Sequence, residues 1–120
     1  MKTPKEVGGT HYLKQAYQPI QLIAELNLNF FQGNIVKYLT RYKDKNGLED
    51  VNKAVHYAEL GSELSPPNNA YLGNESIERI HKYCLANNLP RSVPNILIYT
   101  LHQDWKNVAY YITLFLIKNL

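Results

Sequence analysis

Gly33-Asn34-Ile35-Val36-Lys37-Tyr38-Leu39-Thr40-Arg41-Tyr42-Lys43-Asp44-Lys45, with Gly47-Leu48-Glu49-Asp50-Val51-Asn52-Lys53-Ala54-Val55-His56-Tyr57 after it, is the stretch on which the fold turns. At a period of 3.6 residues, Phe31, Ile35, Leu39 and Tyr42 share one helical stripe, and Asn34, Lys37, Arg41 and Lys45 share the stripe beside it. The first stripe is a core face and the second a cationic edge. Asn46-Gly47 is expected to end the helix, since glycine accepts the left-handed backbone of a C-terminal cap. A second helix follows, with Leu48, Val51 and Val55 as its apolar stripe and Asp50, Lys53 and Tyr57 lined up beside it. The short connection makes the two helices antiparallel neighbours and brings Asp50 toward Arg41. Such a pair presents several cations, two phenols and one orienting carboxylate along one edge.

The rest of the chain extends the same helical pattern. His11-Tyr12 precedes the first helix and reads either as a ligand-facing pair or as a packed one. Gln18-Pro19 opens a short helix with Ile20, Ile23, Ala24 and Leu26 or Asn27 on its inner side, ending near Asn27 to Asn29. Gly61 to Asn69 carries Pro66-Pro67 and is the clear breaker, so the expected organisation is a polar segment 1–10, a domain 11–64 and a helical subdomain 65–120. Past it, Ser76 or Asn74 is expected to cap a helix bearing Ile77, Ile80, Tyr83 and Cys84 inward. Pro90 and Pro94 bracket a turn, and Ile96, Leu97, Tyr99 and Leu101 resume the pattern. Trp105 to Leu120 reads as a helix apolar nearly all round, which needs cover on more than one side. A neighbouring subunit would supply it in a homo-oligomer; a central position in the monomer is the alternative. The fold class expected is all-α: a small helical domain with a central antiparallel pair and a C-terminal helical extension.

Composition bounds the function. A chain of 120 residues, 45% apolar and 19% charged, is large enough to bury a core. Its net charge of +3 comes from interspersed residues, with no basic run of the kind that nucleic-acid arms carry, so a nucleic-acid partner is not expected. A single cysteine, Cys84, allows no internal disulfide, and no Cys/His spacing suits structural zinc, which points to a reducing cytoplasm. Residues 1–10 are too polar for a signal peptide, and Val108 to Ile117 is too short to span a bilayer, so no membrane partner is expected.

The chemistry left to the central stretch is anion binding. No GxxxxGK[ST] loop occurs, and Asp44, Glu49 and Asp50 do not form the paired ExxE and ExxD set with which helical pyrophosphatases hold magnesium, so no metal is expected. Lysine supplies a mobile point charge and arginine a planar fork for phosphate, while neighbouring tyrosines stack on or bond to a base. The candidate ligand-facing residues are His11, Tyr12, Asn34, Lys37, Tyr38, Arg41, Lys45, Asp50, Lys53 and Tyr57. The same Lys/Arg stripe also reads as a solvated helix face.

The ordered set His11-Tyr12, Tyr17-Gln18-Pro19-Ile20, Asn29-Phe30, Gly33 to Tyr38 with Arg41, Gly47-Leu48-Glu49-Asp50, Lys53-Ala54 and Tyr57 resembles the SaV-like family of small bacteriophage and prophage proteins. The resemblance spans about Thr10 to Leu60. Members mostly have no assigned function, but one is a nucleoside monophosphate kinase without the usual kinase motifs. The resemblance implies a phage protein of the host cytoplasm that binds a small nucleotide, with His11, Asn34, Lys37, Tyr38, Arg41, Asp50 and Lys53 facing it. As a kinase it would use ATP or another nucleoside triphosphate, with Lys37, Arg41 and Lys53 neutralising the transferring phosphoryl group and His11 positioning it; no other cofactor is implied. A protein that sequesters a nucleotide or nucleotide signal against host defence is the alternative, and a structural or protein-binding phage factor is a third class.

Overall fold

The computed structural model describes residues 17–44 and 46–119. Among them are six helices and no strand: α1 (Pro19–Leu26), α2 (Phe30–Arg41), α3 (Leu48–Leu64), α4 (Asn74–Ala86), α5 (Val93–Leu101) and α6 (Trp105–Asn119). The protein is all-α.

Local chemistry sets the helix ends. Pro19 opens α1, whose C-cap Asn27 takes the left-handed conformation at φ 56°, a state asparagine tolerates better than most residues. Two residues on, Asn29 caps α2: its side chain accepts from Gln32 N at 3.0 Å, and Gln32 Oε1 accepts from Asn29 N at 2.9 Å. The α2–α3 turn departs from expectation. Helix α2 ends at Arg41 with Tyr42 as its C-cap, and Gly47 instead occupies the N-cap position of α3. Glycine is needed there because φ is +55° with ψ −119°, while Gly47 N–H closes the turn onto Tyr42 O at 2.8 Å. Neither expected residue caps α4; Gly73 holds that position and the Ser76 hydroxyl turns back to Tyr71 O. Pro94 lies in the first turn of α5 rather than closing the preceding turn.

The central pair α2 and α3 makes the most extensive packing contact, α6 lies against α3 and α5, and α4 bridges α1 and α5. The inner stripe of α3 is Val51, Ala54, Ala58 and Gly61, not Leu48, which is 48% exposed. Small residues let two helices close on it: a Cβ at Gly61 would lie 2.8 Å from the Trp105 ring of α6. One core joins Leu22, Ile35, Leu39, Ala54, Tyr83, Ile96, Ile112 and Phe115, so it runs through residues on both sides of Pro66-Pro67. The linker is stitched to both sides as well: Tyr71 N donates to Leu26 O at 2.9 Å, Asn29 Nδ2 to Ser65 Oγ at 2.9 Å, and Asn68 Nδ2 to Leu101 O at 2.8 Å.

Helix α6 corrects a second expectation. Val108, Ile112 and Phe115 form one buried stripe, whereas Tyr110 and Ile117 are exposed. Its cover on the buried side comes from α3 and α5 of the same chain. It is neither a helix left bare for a partner to wrap nor one buried all round. No helix among the described residues is long and apolar enough to cross a membrane.

Candidate cationic and aromatic site on the central helix pair

The capping box at Asn29 sets the rotation of α2, and with it one outward stripe: Phe30, Asn34, Lys37 and Arg41, spaced four, three and four. Inward from it, Ile35, Val36 and Leu39 are buried, so the stripe is held on a packed helix. The facing stripe of α3 carries Asp50, Lys53 and Tyr57. The antiparallel arrangement interleaves the two.

At one end Arg41 meets Asp50. Arg41 Nε lies 3.3 Å from Asp50 Oδ2 and Nη2 lies 3.3 Å from Oδ1, a two-pronged pair in which the Asp50 side chain is fully buried and that of Arg41 is 20% exposed. Asn46 N–H also reaches Asp50 Oδ2, at 3.4 Å, so the carboxylate fastens the turn as well as the arginine. Arg41 is thereby clamped, with two of its donors spent.

In the middle stands the Tyr38 ring. Lys37 Nζ lies 5.1 Å from its centroid, Arg41 Cζ 4.8 Å and Lys53 Nζ 5.5 Å, each within cation–π range. Tyr57 stacks on Tyr38 at 5.8 Å with 16° between planes. Three like charges on one phenol repel one another, and the quadrupole of one ring offsets this only in part. Lys53 has an exposed partner in Glu49 Oε1 at 3.4 Å, worth little in water. No carboxylate pairs with Lys37 among the described residues. With the carboxylates of Asp50 and Glu49 set against Lys37, Arg41 and Lys53, the cluster keeps a small positive excess centred on Lys37.

Beyond Tyr57 the strip turns apolar. Phe30 meets Tyr57 edge-on at 5.7 Å and Phe31 at 5.8 Å, yet remains 66% exposed. His56 stands 6.1 Å from Tyr57 and is exposed.

Of the ten residues singled out in the sequence, Lys37, Tyr38, Arg41, Asp50, Lys53 and Tyr57 come together here. Asn34 shares the stripe, but its Nδ2 donates to Phe30 O at 2.8 Å and is spent locally. His11, Tyr12 and Lys45 lie outside the described residues. Phe30 joins the strip although the sequence marks it only within the Asn29-Phe30 pair of the resemblance and not as ligand-facing; its signal is the interval of seven residues to Lys37, which places both on one side of a helix. Among the described residues, no group of three His, Cys, Asp or Glu side chains is placed to hold a metal ion. Burial pushes the Cys84 thiol up to about 12, so at neutral pH it is a core group rather than a nucleophile.

Two clefts lie elsewhere. One, of about 270 Å³ between α5 and α6, is lined by Tyr99, Tyr111 and Lys118 among others. The other, of about 380 Å³ between α1 and α4, is lined by Glu25, Glu75 and Arg79 among others. Neither shares a residue with the strip.

Residues 2–59 match the model of a family described as a protein of unknown function (DUF3310), just under half of the chain. The matched segment takes in α1, α2 and most of α3, including the whole strip from Phe30 to Tyr57, whereas α4 to α6 lie outside it. No curated protein and no solved structure gives a match.

Proposed function

We propose that the chain binds a nucleotide along the α2–α3 strip, with the phosphate at Lys37 and Lys53, and that as a phage nucleoside monophosphate kinase it phosphorylates a deoxynucleoside monophosphate. The observation that carries the binding is the gathering of Lys37, Arg41 and Lys53 around the Tyr38 ring, at 5.1, 4.8 and 5.5 Å. Arg41 and Lys53 already have the carboxylates of Asp50 and Glu49, so it is Lys37, with no carboxylate partner among the described residues, that a phosphate would chiefly neutralise, and an adjoining aromatic surface suits a base. The transfer step rests on the SaV-like resemblance. In it the acceptor's phosphate oxygen bonds to the γ-phosphorus of a nucleoside triphosphate as the bond to the β-phosphate oxygen breaks, leaving a diphosphate on each side. Lysines that neutralise the moving group make catalysis electrostatic and positional.

Asp50 favours a second reading, binding without transfer, as in a protein that sequesters a nucleotide signal. It is the one buried carboxylate among the described residues, and it is committed to Arg41 and Asn46 N–H rather than open to an acceptor. Incubation with γ-labelled ATP and a panel of deoxynucleoside monophosphates separates the two. Label in the acceptor is the expected result, while calorimetric binding without label leaves sequestration. Lys37→Gln is expected to cost about 1.5 to 3 kcal/mol of binding, the worth of a hydrogen bond to a charged group. A Lys37→Gln variant that binds as tightly as the parent removes the site. A parent that binds no nucleotide leaves a structural or protein-binding role.

A further inference from the structure

The strip is chemically bipolar, and so is a nucleotide. Along α2 the cations occupy the C-terminal part, at Lys37 and Arg41, whereas the N-terminal part ends in a phenylalanine that folding leaves 66% exposed. From Phe30 to Lys37 is seven residues, about 10 Å of helix. Between them the rings form a continuous path, Phe30 to Tyr57 at 5.7 Å and Tyr57 to Tyr38 at 5.8 Å. A single nucleotide laid along this path puts its phosphate among the lysines and its base over Phe30.

Most of the side-chain donors around Phe30 are already spent, which leaves the half-exposed Asn34 Oδ1 and, beyond Tyr57, the exposed His56. Asn34 Nδ2 is bonded to Phe30 O, Asn29 is closed into the capping box and onto Ser65 Oγ, and Gln32 is buried with its amide divided between Asn68 Oδ1 and the carbonyls of Thr100 and Leu101. What this end offers a base is therefore mainly ring surface, with few side-chain donors left to read its edge. Recognition by stacking alone ranks bases by their stacking area and strength.

Building on the nucleotide reading above, we infer that Phe30, with Tyr57, is the base-stacking end of the site, and that the site selects purine over pyrimidine nucleotides without distinguishing adenine from guanine. Phe30 is a specificity residue and Lys37 an anchoring one, so the two variants fail differently.

Calorimetric titration of the full chain with dAMP, dGMP, dCMP, dTMP and the base-free deoxyribose 5-phosphate tests this. The two purine nucleotides are expected to bind alike and several-fold tighter than the pyrimidines. Phe30→Ala is expected to weaken purine binding about tenfold and erase the difference between base classes, the size of one lost aromatic stack. Deoxyribose 5-phosphate binds Phe30→Ala as it binds the parent, and Phe30→Trp keeps or strengthens the purine preference. Circular dichroism of Phe30→Ala matches the parent, since the ring is mostly outside the core. Pyrimidines binding as well as purines, or Phe30→Ala holding purines as tightly as the parent, overturns the inference while the nucleotide reading stands. If the parent binds none of the five ligands, both fall together.

Discussion

Arg41 illustrates how one residue changes meaning between a stripe and a structure. On the helical wheel it is one cation among several, but in the fold two of its donors are held by a carboxylate with no exposed surface. Removing one partner of a buried pair leaves the other charge without compensation, a loss that exceeds the net worth of the pair. Arg41→Ala is accordingly expected to destabilise the fold by about 3 kcal/mol or more, visible as a lower urea midpoint. An unchanged midpoint means that Asp50 finds other partners and the clamp is dispensable. Because Arg41 also lies over the Tyr38 ring, its loss disturbs site and scaffold together, and Lys37 is the cleaner probe of binding. The ion pair was legible in the sequence through the short turn and the i, i+3, i+4 spacings. That Asp50 would be sealed from solvent was not, because burial depends on what α2 and the turn place above it.

At the scale of elements, the contact between α3 and α6 shows why small residues matter. Gly61 lies on the buried stripe of α3 with Val51, Ala54 and Ala58, and the Trp105 ring fills the space a side chain would take. In a free helix, alanine at this position adds about 1 kcal/mol of helix stability over glycine. Here the added methyl meets ring atoms at 2.8 and 2.9 Å, so overpacking wins. Gly61→Ala is expected to lower stability by about 1 to 3 kcal/mol and to shift the emission of Trp105, the only tryptophan in the chain. A variant at least as stable as the parent, with unchanged emission, means that α6 slides to accommodate it. Glycine 61 reads in the sequence as part of a breaker cluster with Pro66-Pro67, yet α3 runs through it to Leu64. Tertiary packing overrides local propensity there, since burying an indole face outweighs the entropy of one glycine.

For the molecule as a whole, Gln32 ties the chain together. Its buried amide reaches Asn29 in α2's cap, Asn68 in the linker and the last carbonyls of α5, joining segments about 70 residues apart. Such links, with the shared core, tie the helices after Pro66 into the packing of those before it. What α6 still offers outward is Tyr110, 57% exposed, and Ile117, 68% exposed. Self-association through that face is our proposal for assembly, since exposed apolar groups two turns apart on one side of a helix are interface material. Light scattering is expected to find an oligomer that Ile117→Asp reduces to a monomer without loss of helicity; a parent that is monomeric at tens of micromolar removes the proposal. Phe115 is unsuited to the same test, because it lies in the core and a charge there strikes the fold itself.

By itself the sequence determined the all-helical class, three helices before Pro66 and two or three after it, where the described residues form three, and the neighbouring edges of α2 and α3. These follow from period, prolines and caps, which act within a few residues of themselves. Tertiary structure decided which apolar residues are buried. Leu48 faces water while Ala54 and Ala58 are sealed, and α6 finds its cover inside its own chain. It also decided that Arg41 is clamped and that Phe30 is bare. Each of these depends on which helices meet and how closely, and helix spacing is set by the side chains of both partners together rather than by the periodicity of either one.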